Sequence, residues 1–92
     1  MSETASALAL RARIDRGADV LYVTGRPGVP ARSREEEPGL VWRYASDTGE
    51  LVGLTIVDFS TYWAERRAEL ISRIAGRFMI DRAEAEKLLR SV

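Results

Sequence analysis

Leu40-Val41-Trp42-Arg43-Tyr44-Ala45-Ser46-Asp47-Thr48-Gly49-Glu50-Leu51-Val52-Gly53-Leu54-Thr55-Ile56-Val57-Asp58-Phe59 is the stretch whose reading decides the fold. Leu40, Trp42 and Tyr44 alternate with Val41, Arg43 and Ala45. That is the period of two expected of a β-strand, whose successive side chains point to opposite faces. Beyond the turn, Val52, Leu54 and Ile56 fall on one face, and Leu51, Gly53, Thr55, Val57 and Phe59 on the other. Ser46 to Glu50 has room only for a tight connection, and Gly49 can take the positive φ that hairpin turns require. Asp47 and Gly49 are therefore expected to be structural turn residues. Gly53, inside a strand, predicts a bulge or a close backbone approach, here against a helix.

Working upstream, Leu8, Leu10, Ala12 and Ile14 alternate with Arg11 and Arg13, a half-buried strand. Asp15-Arg16-Gly17-Ala18-Asp19 interrupts it with turn chemistry. Asp15 and Asp19 are expected to accept hydrogen bonds from nearby backbone N–H groups. Val20-Leu21-Tyr22-Val23-Thr24 is β-branched and aromatic, and its consecutive apolar residues predict cover on both faces. Gly25 to Pro30 is a loop. Ala31 to Glu37 reads as an exposed edge strand or a loop, with Glu35-Glu36-Glu37 as a solvated run. Residues 1–7 are expected to fray, and residues 8–59 to form an antiparallel β-meander of about four to five strands.

Downstream of Ser60 the period changes. Trp63, Arg67, Leu70, Ile71, Ile74 and Phe78 recur at helical spacing. Ser60 or Thr61 is the expected N-cap and Gly76 the expected end. Asp81 with Glu84 matches the spacing of a capping box and starts a second helix, with Ala85, Leu88 and Leu89 as its apolar stripe. The expected fold is a single α+β domain over 1–92, in which residues 60–92 supply two C-terminal helices that pack on the sheet.

Composition narrows the chemistry. The chain has 92 residues, 14 basic against 14 acidic, with no cysteine and no histidine. Thiolate chemistry, disulfides, the commonest general base and the commonest transition-metal ligand are all removed. Asp15 and Asp19 as an acid–base pair or hard-cation site would need further oxygen ligands that the sequence does not supply. Arg66, Arg67, Arg73 and Arg77 share their helix with Glu65 and Glu69, without the aromatic interleaving of a nucleic-acid groove. No apolar run approaches a membrane span, and the N-terminus has no basic region of the secretory kind. The expectation is a cytoplasmic protein that is not an enzyme, with no catalytic, cofactor-binding or metal residues.

Two blocks resemble a known family. Asp15 followed by Asp19-Val20-Leu21-Tyr22-Val23, and then Asp47-Thr48-Gly49-Glu50-Leu51-Val52-Gly53-Leu54-Thr55-Ile56, look like the small bacterial and archaeal proteins catalogued as domain of unknown function 2283. The likeness covers about residues 8–60. Ala45-Ser46 stands where that family has an acidic residue before the turn, and the helical tail here is longer. The resemblance implies the β-meander. Some members of that family are encoded beside toxin-like proteins, which implies an antitoxin or partner role.

One amphipathic helix covers one face of a sheet, yet Val20 and Tyr22 oppose Leu21 and Val23, and Trp42 and Tyr44 oppose Val41. Apolar surface on the second face predicts an interface, and a symmetric dimer is its commonest form. Tyr22, Trp42, Tyr44, Phe59 and Trp63 are the expected interface residues. The functional expectation is a small interaction module, either a homodimer or the antitoxin-like component of a protein pair. The alternative is a dimeric DNA-binding protein of ribbon-helix-helix layout, with residues 51–59 as its strand. Leu51, Gly53, Thr55 and Val57 read bases poorly, so nucleic acid is the weaker reading.

Overall fold

A computed structural model describes residues 9–92. The expected fraying of residues 1–7 and the strand start at Leu8 lie outside the described residues. Five strands, β1 (Arg11–Asp15), β2 (Val20–Thr24), β3 (Ala31–Glu37), β4 (Leu40–Ala45) and β5 (Leu51–Val57), are followed by a 3₁₀ turn at Trp63–Arg66 and helices α1 (Arg67–Phe78) and α2 (Arg82–Arg90). The class is α+β, with one antiparallel sheet and its helices at the C-terminal end.

The sheet order is β1-β2-β5-β4-β3. β3, β4 and β5 form a meander, and β5 then returns to pair with β2, so the last strand in the chain is the central one. Charge explains the placement. β5 and β2 contain no charged residue, whereas β1 reads Arg-Ala-Arg-Ile-Asp and β3 reads Ala-Arg-Ser-Arg-Glu-Glu-Glu. A central strand is enclosed by neighbours on both sides, while an edge strand gains protection from charge.

Register assigns the faces. Ile14, Leu21, Ile56 and Leu40 form one row across the sheet, and Ala12, Val23, Leu54 and Trp42 the next. These rows meet Leu70, Ile71, Ile74, Ala75 and Phe78 of α1 and Ala85 and Leu89 of α2 in one core. Leu21, Leu40, Trp42, Ile56, Leu70 and Ile74 are wholly buried there. Both helices therefore cover the same face.

The register slips between Arg43 and Tyr44, opposite Leu51 to Gly53. The extra residue of this bulge lets Val52 as well as Leu54 turn inward. A Cβ on Gly53 would lie 3.1 Å from the Val23 carbonyl oxygen and 3.7 Å from Arg43 Cδ. The close approach expected at Gly53 is thus to the neighbouring strands and not to a helix.

Two helix boundaries differ from their sequence signals, and a third falls where expected without its side-chain cap bond. Ser60 and Thr61 do not cap the helical segment; Tyr62 occupies the cap position of the 3₁₀ turn, with no side-chain bond. α1 runs through Gly76 to Phe78 and stops where Met79 turns left-handed at φ 57. Phe78 is buried beside Trp42, their ring centroids 6.2 Å apart, and this packing outweighs the helix-breaking tendency of Gly76. Asp81 has the extended backbone of an N-cap, and its carbonyl accepts from Ala85 N–H at 3.0 Å. Its side chain makes no cap bond, so the Asp81–Glu84 box is not formed.

Candidate functional site

The acidic run is not simply solvated. Glu35 accepts from Gly39 N–H at 3.0 Å. Glu36 accepts from Arg77, and Glu37 from both Arg73 and the Trp42 indole N–H, the latter at 2.9 Å. The irregular register between Glu35 and Glu37 turns the last two carboxylates toward α1. They clamp the sheet edge to the helix. Hydrogen bonding to Arg77 holds the Glu36 carboxyl below its usual range, and Glu36 in turn raises Arg77.

Arg73 and Arg77 are consequently committed within the chain. Arg73 also pairs with Glu69 at 3.1 Å, and Arg77 donates to the Tyr44 hydroxyl at 2.7 Å while lying 4.6 Å from the Trp42 ring centroid. Arg67 stacks on Phe59 and Arg66 on Tyr62. An open depression of about 490 Å³ between β3 and α1 is lined by Glu37, Glu69, Ser72, Arg73, Gly76 and Arg77. Arg73 is matched there by Glu37 and Glu69, and Arg77 by Glu36 just outside, which leaves no unbalanced charge for a ligand.

The two aspartates of the first turn do different work. Asp15 Oδ1 accepts from Ala18 N–H at 3.2 Å, the local bond expected of it. Asp19, left-handed at φ 56, reaches across the fold instead. Its carboxylate accepts from Ser60 N–H at 2.9 Å, Ser60 Oγ at 2.6 Å and Thr61 Oγ1 at 3.2 Å. It ties the start of β2 to the chain leaving β5. The Ser60 hydroxyl, then the Ser60 N–H, and Thr61 after them, lower the Asp19 pKa. Asp47 and Gly49 lie in the hairpin connection, where Gly49 has φ 77 and donates to the Ala45 carbonyl at 2.8 Å. Among the described residues no three carboxylates are gathered as a metal ion would need.

Of the five expected interface residues, the fold internalises three. Trp42, Phe59 and Trp63 are 0%, 7% and 2% exposed, beneath the helices, and cannot meet a partner. Trp42 points inward because its register partner is Leu54, and Phe59 and Trp63 follow β5 onto the helix side. Tyr44, past the bulge, also packs against the core and takes Arg77. Tyr22 alone lies on the opposite face.

Among the described residues that opposite face carries no helix. Its central row reads Arg13, Tyr22, Thr55, Val41 and Glu35 across all five strands. On one side lies the row Arg11, Thr24, Gly53, Arg43 and Ser33, and on the other Asp15, Val20 and Val57. Val20, Tyr22, Val41, Thr55 and Val57 are half-buried. Arg13 lies over Tyr22, its guanidinium carbon 4.8 Å from the ring centroid. The sequence places Val20 beside Tyr22 and sets Val41, Thr55 and Val57 on single faces of their own strands, but only the register joins them to Tyr22 in one patch.

No protein-family model, no curated protein and no solved structure matches the chain. No helix among the described residues is long and apolar enough to cross a membrane.

Proposed function

We propose that this protein is a non-enzymatic, cytoplasmic interaction module that associates through the bare face of its sheet, as a homodimer or as the antitoxin-like component of a protein pair. One observation carries the reading: both helices pack on one face, and the other presents Val20, Tyr22, Val41, Thr55 and Val57 between flanking charges. Sheets with one solvated face usually alternate apolar-in with polar-out; here the outward positions of the three inner strands are mostly β-branched or aromatic. Such a patch rimmed by polar residues is characteristic of protein contact.

The ribbon-helix-helix alternative receives no support from the strand pairing. β5 is paired on both edges, with β2 and β4, so it has no free edge to offer a second chain. Titration of duplex DNA at low salt is expected to show no binding.

Light scattering across a dilution series tests the association. A dimer is expected at high concentration, with dissociation on dilution. Tyr22→Glu is expected to leave it monomeric with an unchanged circular dichroism spectrum, and Thr55→Arg, on the same face, provides a second probe should Tyr22→Glu unfold. A wild-type chain that stays monomeric near millimolar concentration, or a dimer indifferent to both variants, overturns the reading.

A further inference from the structure

We infer that the partner on the bare face is a second copy of this chain, stacked face to face with its two-fold axis parallel to β5. The inference rests on the association proposed above and adds the occupant and its orientation.

The strand order supplies the symmetry. β5 is the middle of five, so a two-fold axis along it sets β1 over the partner's β3 and β2 over the partner's β4. The central row then meets itself reversed. Arg13 falls opposite Glu35 of the partner subunit, Tyr22 opposite Val41 of the partner subunit, and Thr55 opposite its own copy. Both edges gain an opposite-charge pair, and the apolar residues meet in the middle. Turning the axis across the strands gives the reverse: Arg13 over Arg13 of the partner subunit, and Glu35 over its copy. Like charges suppress that arrangement, and opposite charges fix the register of the other. The groups at the two ends are available for it. Arg13 is exposed where it lies over Tyr22, and Glu35 is exposed with one carboxylate oxygen on Gly39 N–H.

Size sets the strength. Five strands at their usual spacing span about 24 Å, and five residues of each span about 17 Å, giving roughly 400 Å² per copy in projection. The two copies together bury about 800 Å², below the roughly 1,200–2,000 Å² of stable specific interfaces and in the range of transient encounters. Self-association is therefore expected to be weak and reversible, as two aligned sheets packed about 10 Å apart would allow.

The test is charge exchange, read by light scattering or sedimentation. Arg13→Glu alone and Glu35→Arg alone each create two like-charge pairs per dimer, and each is expected to weaken association about tenfold or more. An equimolar mixture of the two variants restores both pairs, so a heterodimer of near wild-type affinity is expected. A second measurement exploits the cysteine-free sequence. Thr55→Cys is expected to cross-link to its own copy with a short bis-maleimide, and Glu84→Cys on α2 is expected not to. If Tyr22→Glu dissociates the dimer but the mixed variants do not recover it and Thr55→Cys does not cross-link, the orientation is wrong and the association reading survives. If the wild-type chain is monomeric throughout, both fail. If the monomer instead binds single-stranded RNA through Arg11, Arg13 and Tyr22, the second copy is overturned in favour of nucleic acid.

Discussion

Replacing Glu37 by alanine tests the clamp between β3 and α1. Glu37 Oε1 accepts from the indole N–H of Trp42, a residue with no solvent exposure. Its other oxygen takes Arg73, which retains Glu69 when Glu37 is removed. A buried donor left without an acceptor costs about 1–3 kcal/mol. The Arg73 contact, partly exposed and backed by a second carboxylate, adds about 0–1 kcal/mol. Glu37→Ala is therefore expected to lose about 2 kcal/mol, which in a domain of this size lowers Tm by roughly 8–16 °C. Glu37→Gln keeps a carbonyl oxygen for the indole and gives up only the charge, so its loss should stay below about 1 kcal/mol. Urea unfolding followed by tryptophan fluorescence measures both. In a Trp42→Phe background the donor is absent, and Glu37→Ala should there cost only the Arg73 share. Equal losses for Glu37→Ala and Glu37→Gln, or an undiminished loss in the Trp42→Phe background, would refute the assignment of the energy to the indole bond.

Three further outcomes follow from local geometry. Gly76 lies inside α1 with open space where a Cβ would go, so Gly76→Ala should raise stability by about 0.5–1 kcal/mol; a loss in urea unfolding would mean the helix needs flexibility there. Gly53→Ala should have the opposite sign and cost about 1–3 kcal/mol, because the atom its Cβ would strike is the backbone oxygen of Val23; a neutral Tm would show that the sheet relaxes freely. Asp19 and Glu36 both have pKa values lowered in the folded chain. Their stabilisation is present above the unfolded carboxyl range, near pH 4, and is lost as pH falls through the lower folded values. The urea midpoint should therefore drop between about pH 5 and pH 3, and drop less for Asp19→Asn; parallel profiles for the two proteins would remove Asp19 as a source of the pH dependence.

The hairpin at Asp47-Thr48-Gly49 was legible because its evidence is contiguous: alternation on both sides and one residue suited to positive φ. The change of period at Ser60 was legible for the same reason. What sequence could not provide was pairing between distant segments. The charge-free sequence of β5 suits a central strand, but nothing in it names β2 as its second neighbour. The Glu36–Arg77 and Asp19–Ser60 bonds join residues more than thirty positions apart, so each partner alone looked like surface charge or turn chemistry. Trp42 and Trp63 were assigned to an interface because aromatic residues suit cores and interfaces equally, and only register separates the two. Gly76 misled for a related reason, since the packing of Phe78 against Trp42 holds the helix beyond it.

The position of β5 also bears on how the chain reaches this state. Two separate hairpins, β1 with β2 and β3 with β4, are complete in the chain before Leu51–Val57 exists. An isolated two-stranded hairpin is at best marginal in water. Neither can join the other until β5 has left the ribosome to pair with both, and the helices that cover the core come later still. Most of this domain must therefore be synthesised before any of it can be stable, and through that interval the apolar residues of β2 and β4 stand in need of protection.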